Sequence, residues 1–174
     1  MPKNRLGLIG MTSILVQMCA APAWAEEPLS RKPGLWEVRT SIGSSNAPAQ
    51  TVRQCIDAAT DQMLQSITGP LNTAACLERN VQRSTDSVTI DARCTIGGRT
   101  ATAHTVISGS FDSAYTMTAT ARSDEIPGGE MVMTMEGKWI GPCTPDQKAG
   151  DVILSNGAKI NIPDLQKRAV TPAN

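Results

Sequence analysis

The sequence has few aromatic residues, one histidine and no long apolar run. Its longest apolar stretch, residues 6–18, is interrupted by Gly, Thr, Ser and Gln. A helix that spans a membrane needs about 20 predominantly apolar residues. The sequence therefore predicts no transmembrane anchor.

Basic residues are not in excess either. The chain has 16 Lys and Arg residues against 16 Asp and Glu residues. Nucleic-acid-binding proteins instead concentrate Lys and Arg on one surface. The composition thus argues against a nucleic-acid partner, and the balanced charge does not identify any other partner.

The N-terminal segment has the three parts of a signal peptide. Lys3 and Arg5 form a basic start, residues 6–18 form a short apolar region, and Ala21-Pro22-Ala23-Trp24-Ala25 provides an A-x-A cleavage site. We therefore predict a signal peptide over residues 1–25, with cleavage after Ala25. The alternative of a lipid anchor on Cys19 is disfavoured because Met18 precedes it, where a small residue is required.

The mature chain retains four cysteines, and four in an exported protein indicate two disulfides with three possible pairings. A zinc site would favour closely spaced pairs, whereas these residues are far apart in the sequence. Two of them fall on consecutive predicted strands, which favours the pairing Cys76–Cys94 and leaves Cys55–Cys143.

Alternating apolar and polar residues predict a β-rich domain. The clearest element is a hairpin in which Gly97-Gly98 forms a two-residue turn. In this register Cys94 faces Ala101 and Val88 faces Ile107, so the apolar residues match across the turn. Further strands are predicted over residues 35–42, 51–56, 76–84, 115–122 and 130–140.

One short helix interrupts these strands. Asp57 is a good N-cap, Met63, Leu64 and Ile67 share a face, and Gly69-Pro70 ends the helix. The predicted fold is all-β and mainly antiparallel. We expect a curved meander or open half-barrel of about seven strands, with one helix and two disulfides. The domain is expected over residues 26–163, followed by a loose C-terminal tail over residues 164–174.

Three motifs resemble a known family in the order in which they occur. They are Lys32-Pro33-Gly34-Leu35-Trp36-Glu37-Val38, the strand at Val52-Arg53-Gln54-Cys55, and the terminal Gly137-Lys138-Trp139-Ile140-Gly141-Pro142-Cys143. The chain resembles the bacterial periplasmic domain-of-unknown-function family 3617. The resemblance implies an exported, periplasmic β domain and supplies no activity or ligand.

No group of residues predicts catalysis or a cofactor. A hydrolytic triad needs a histidine beside an activated nucleophile, and no G-x-S-x-G motif is present. The hairpin register places His104 on the polar side of the sheet, as a solvated residue. Trp36 and Trp139 are expected in the core. We therefore predict that the protein is not an enzyme.

One pattern offers a metal hypothesis. Met131, Met133 and Met135 alternate along a strand, and thioethers favour Cu(I). Methionine is also a common filler of apolar cores, so the metal prediction is none, with these three residues as the alternative. Our leading hypothesis is a binding or interaction module of the cell envelope, whose partner is an envelope protein or a small apolar ligand.

Overall fold

A computed structural model of the chain describes residues 29–43, 47–68, 76–96 and 98–170. The predicted signal peptide, its cleavage site and Cys19 lie outside the described residues. In the described part of the chain, no helix is long and apolar enough to cross a membrane.

The described chain forms nine strands and two helices. The strands are β1 (Gly34–Ile42), β2 (Gln50–Ile56), β3 (Cys76–Arg83), β4 (Ser87–Ile96), β5 (Arg99–Ser110), β6 (Ala114–Arg122), β7 (Glu130–Gly141), β8 (Asp151–Ile153) and β9 (Lys159–Asn161). The helices are α1 (Ala58–Thr68) and α2 (Ile162–Val170). The predicted all-β, mainly antiparallel class is confirmed.

All nine strands belong to one antiparallel sheet with the order β3-β4-β5-β6-β7-β1-β2-β8-β9. Strands β3 to β7 form the expected meander. The β1–β2 hairpin joins it through β7, although β1 and β7 are far apart in sequence. Because β3 and β9 remain as separate edges, the sheet is open and not a closed barrel.

The predicted register of the β4–β5 hairpin is confirmed. Cys94 pairs with Ala101 and Val88 pairs with Ile107. Gly98 has φ = 80°, a left-handed conformation that glycine adopts without steric cost. The turn chemistry and the matched apolar residues therefore specify the same register, because a shift of one residue would move every side chain to the other face.

The two faces of the sheet differ in polarity. We call the side that carries Trp36, Ile90, Ile107, Tyr115 and Met117 the inner face, because these side chains are buried together in one cluster. The opposite, outer face carries charged and hydroxyl-bearing residues, which include Glu37, Arg39, Asp91, His104, Thr116, Thr118 and Glu136.

Trp36 is the anchor of the core, as expected for a large residue in a chain with few aromatics. It is fully buried, and its ring lies 5.7 Å from the ring of Tyr115, centroid to centroid. Tyr115 in turn packs over Gly137, where an added Cβ would clash with the tyrosine ring. Trp139 is half-buried and packs against the same cluster.

Both predicted disulfides are present, Cys55–Cys143 and Cys76–Cys94. The pairing of β3 with β4 contains a register shift between Cys76 and Glu78. This β-bulge leaves Leu77 without a direct partner, so that Cys76 comes to lie opposite Cys94 while Val81 still pairs with Ile90. The bulge thus reconciles the disulfide with the apolar register of the two strands.

The helices lie at one end of the sheet, where α1 contacts β2 and α2 contacts β9. Helix α1 begins as predicted after Asp57, whose carboxylate accepts a 2.8 Å hydrogen bond from the Thr60 backbone N–H. Hydrogen bonds from the Thr60 backbone and side chain hold the pKa of Asp57 below its ordinary value.

Helix α2 occupies residues 162–170, so residues 164–170 of the segment expected to be a loose tail are helical. The Asn161 side chain accepts a 3.1 Å hydrogen bond from the Asp164 backbone N–H. This cap and the early Pro163 are both typical of a helix N-terminus.

Candidate functional site

A buried ion pair joins the segment before β1 to helix α1. The Arg31 Nε and backbone N–H each donate a 2.8 Å hydrogen bond to the Asp61 carboxylate. Arg31 is 7% exposed and Asp61 is fully buried. Gln54 accepts a 2.9 Å bond from the same guanidinium, and Gln65 donates a 2.9 Å bond to Asp61. The network connects the N-terminal segment, β2 and α1.

Aromatic rings surround this network. The Arg31 guanidinium carbon lies 5.7 Å from the centroid of the Trp36 ring. Burial raises the pKa of Tyr115 above its ordinary value of about 10, and the nearby Arg31 charge acts in the opposite direction. The ammonium group of Lys32 lies 3.9 Å from the centroid of the Trp139 ring. Charged and aromatic residues thus hold the chain as it enters β1.

No motif in the sequence points directly to Arg31 or Asp61. A signal was present, because Asp61 precedes Leu64 by three residues in α1 and side chains so spaced share one helix face. Leu64 is buried. An acidic residue on a buried helix face requires a partner, but the sequence alone does not indicate that the partner is 30 residues away.

The methionines of β7 share the inner face, as predicted. Met131 pairs with Ala121, Met133 with Ala119 and Met135 with Met117. All three β7 methionines are half-buried, and the Tyr115 hydroxyl lies 4.0 Å from the Met135 sulfur.

These contacts favour packing over a copper site. Met133 and Met135 pack against the buried core cluster, and small side chains lie beside Met131 and Met133. The pairs of methionine with alanine form an adaptable apolar surface, since methionine is flexible and polarizable.

The burial of the inner face changes from its centre to its margin. At the centre, Ile90 is 1% exposed and Met117 is 5% exposed. At the margin, partial exposure is shared by Val81, Val88, Ala92, Ala103, Ala121, Met131 and Met133. Helix α1 contributes Leu64 to the buried cluster at the centre of this face. An apolar surface therefore continues outward from the packed core.

The outer face holds the only histidine of the chain. His104 pairs across the strands with Asp91, and its Nδ1 lies 2.7 Å from the Asp91 carboxylate. Both side chains are about half exposed. They line an open groove of about 580 Å³, together with Glu78, Asn80, Arg93, Thr102, Thr120 and Arg122.

A second groove of about 400 Å³ lies on the same outer face, near Glu37, Arg39, Glu136 and Lys138. Both grooves are open, and most of the residues that line them are polar or charged. They are typical of a solvated sheet surface, because acidic and basic side chains alternate along them.

We expect the His104→Ala variant to change the free energy of unfolding by less than about 1 kcal/mol, because an exposed polar contact that solvent screens contributes little. Chemical denaturation followed by tryptophan fluorescence measures this change. A loss above about 2 kcal/mol would instead show that the Asp91–His104 pair is a structural element of the sheet.

A family model described as "Protein of unknown function (DUF3617)" matches residues 31–143, about two thirds of the chain. The chain belongs to this family. The resemblance inferred from the sequence motifs is thereby confirmed. No curated protein and no solved structure gives a significant match.

The limits of the DUF3617 match coincide with structural features. It begins at Arg31, the basic partner of the buried ion pair, and ends at Cys143, which is bonded to Cys55. The match therefore includes both disulfides and Asp61. Strands β8 and β9 and helix α2 lie beyond it.

Proposed function

We propose that the protein is an exported, non-enzymatic binding module of the bacterial periplasm, and that it holds an apolar ligand on the inner face of β3 to β7. One observation carries the proposal. The apolar inner face extends past the buried core into a partly exposed margin of alanine and methionine side chains.

Several features support this proposal. Two disulfides in a single domain suit the oxidising environment of the periplasm. On the inner face the small side chains of Ala119 and Ala121 lie beside methionines, which can adapt to a ligand, and Ala103 pairs with Ala121. Ligand sites are usually lined by apolar side chains, whereas the grooves of the outer face are polar.

The test compares two leucine substitutions on one strand. Ala103 and Thr102 are neighbours in β5 whose side chains lie on opposite faces. Ala103→Leu adds bulk to the inner face, and Thr102→Leu is the matched control on the outer face. The probe is phenylnaphthylamine, a neutral dye whose fluorescence rises in an apolar environment.

We expect the native protein to bind the dye and Ala103→Leu to weaken binding about tenfold, since overfilling an apolar site costs about 1–3 kcal/mol. Thr102→Leu should bind like the native protein. Thermal unfolding of both variants shows whether they are folded. Absence of dye binding, or equal weakening by the two variants, would contradict the proposal and favour a protein partner.

A further inference from the structure

The two disulfides lie in different environments. Cys55 is 3% exposed, and its strand β2 has neighbouring strands on both sides. Cys76 and Cys94 are both partly exposed. Cys76 is the first residue of β3, which pairs only with β4 in the described part of the chain. One bond therefore begins at a buried residue of an interior strand, and the other joins two accessible residues at the edge of the described sheet.

The β-bulge limits what the Cys76–Cys94 bond holds in place. After the register shift, the pairs from Glu78 with Arg93 to Arg83 with Val88 continue without interruption. Strand β4 also pairs with β5 along its full length. Opening the bond would release only the end of β3 before the bulge, so the rest of the described sheet would keep its pairing.

From these features we infer that Cys76–Cys94 is a thiol–disulfide exchange site, reduced reversibly by a protein dithiol of the Cys-x-x-Cys type, whereas Cys55–Cys143 stays oxidised. A thiolate of the dithiol attacks one sulfur, forms a mixed disulfide and expels the other sulfur as a thiolate. The second thiolate of the partner then breaks the mixed disulfide. Two electrons and two protons pass to Cys76 and Cys94, and the partner leaves as a disulfide.

The position of the bond determines which of its sulfurs is attacked. A thiolate approaches a disulfide along the extension of the sulfur–sulfur bond, so access from that direction controls the rate. The Cys76–Cys94 bond runs from β4 to the edge strand β3, so the approach to Cys76 comes from outside the described sheet. The approach to Cys94 would come from the side of β5, across Ala101. Cys76 therefore forms the mixed disulfide, and Cys94 leaves as the thiolate.

The burial of Cys55 protects the second disulfide. Attack on Cys55 itself requires access to a buried residue. Cys143 is partly exposed, but attack on it would expel the Cys55 sulfur as a thiolate in a buried position, and an unpaired buried charge is costly. Both routes therefore need a local opening of the chain around Cys55.

The experiment follows the reduction of the native, disulfide-bonded protein by dithiothreitol and, separately, by a thioredoxin. Free thiols are alkylated with N-ethylmaleimide at successive times and assigned by peptide mass spectrometry, so each cysteine is measured by itself. A thioredoxin that lacks its second cysteine traps the mixed disulfide. Cys55–Cys143 in the same molecules is the internal control. The same reaction in concentrated urea removes the protection that the fold provides.

We expect Cys76 and Cys94 to be labelled at least about tenfold faster than Cys55 and Cys143, with the native tryptophan fluorescence retained. The trapped thioredoxin should be bonded to Cys76, and in urea the two disulfides should be reduced at similar rates. Similar rates in the native protein, a preference that persists in urea, or loss of the native fluorescence on reduction of Cys76–Cys94 would overturn the assignment. So would trapping at another cysteine, or reduction by dithiothreitol but not by thioredoxin.

Discussion

Replacing Cys55 and Cys143 by serine is expected to lower the free energy of unfolding by about 4.6 kcal/mol. The two residues are separated by 88 positions, and a cross-link restricts the unfolded chain more as the loop it closes becomes longer. The Cys76–Cys94 bond closes a loop of only 18 positions. The same relation gives about 3.2 kcal/mol for its removal.

The comparison of the two double serine variants is more informative than either value alone. Urea denaturation of both should give a difference of about 1.4 kcal/mol, with the Cys55/Cys143 variant less stable. Cys55 is also buried, so its replacement by serine adds the cost of a buried hydroxyl. A less stable Cys76/Cys94 variant would contradict the expectation and would indicate that the bulge at Leu77 depends on its disulfide.

Local patterns in the sequence were sufficient to predict most of the strands of the β3 to β7 meander. In the β4–β5 hairpin, the turn glycines and the alternation of apolar residues specify the same pairing, so Cys94 could be placed opposite Ala101. The pairing of Cys76 with Cys94 was expected from their positions on consecutive strands, and a β-bulge in β3 brings them opposite each other.

Pairing between distant strands could not be predicted in the same way. Strand β1 pairs with β7, and Val38 lies opposite Gly137. Periodicity indicates that each of these segments is a strand with one buried face, but it does not identify the neighbouring strand. Gly137 has no side chain because the Tyr115 ring occupies that space. This requirement is evident only from the pairing of the strands that carry the two residues.

The candidate site was predictable in part. The shared face of Met131, Met133 and Met135 followed from alternation, whereas the change in burial across this face did not. Ala103 and Ala121 are partly exposed, while Ile107 and Met117 on the same strands are buried. Alternation within one strand indicates which side chains share a face, but it does not indicate what packs over each of them.

The second large effect is expected at the buried ion pair. Asp61→Ala should lower the free energy of unfolding by about 3–5 kcal/mol, because it leaves the Arg31 guanidinium buried without its carboxylate. Asp61 also accepts hydrogen bonds from the Arg31 backbone and from Gln65, and these donors would lose their partner as well. Urea denaturation followed by tryptophan fluorescence measures the loss.

An exposed ion pair provides the matched control. The Arg53 Nε lies 3.2 Å from the Glu37 carboxylate, with side chains 56% and 39% exposed. Glu37→Ala should therefore cost at most about 1 kcal/mol, since solvent screens such pairs. Similar costs for Asp61→Ala and Glu37→Ala would show that the Arg31–Asp61 pair is not buried in solution.

A double variant tests whether the two charges are themselves needed for stability, or whether removing one charge is costly only because the other is left buried alone. In Arg31→Met/Asp61→Leu both charges are replaced by apolar side chains, and such replacements are often neutral or stabilising. We expect it to recover most of the stability lost in Asp61→Ala. If it does, the pair is not required for stability, and its role is to fix the position of the chain before β1. If the double variant is as unstable as Asp61→Ala, the hydrogen bonds to Gln54 and Gln65 are themselves needed to join β2 and α1 to the N-terminal segment.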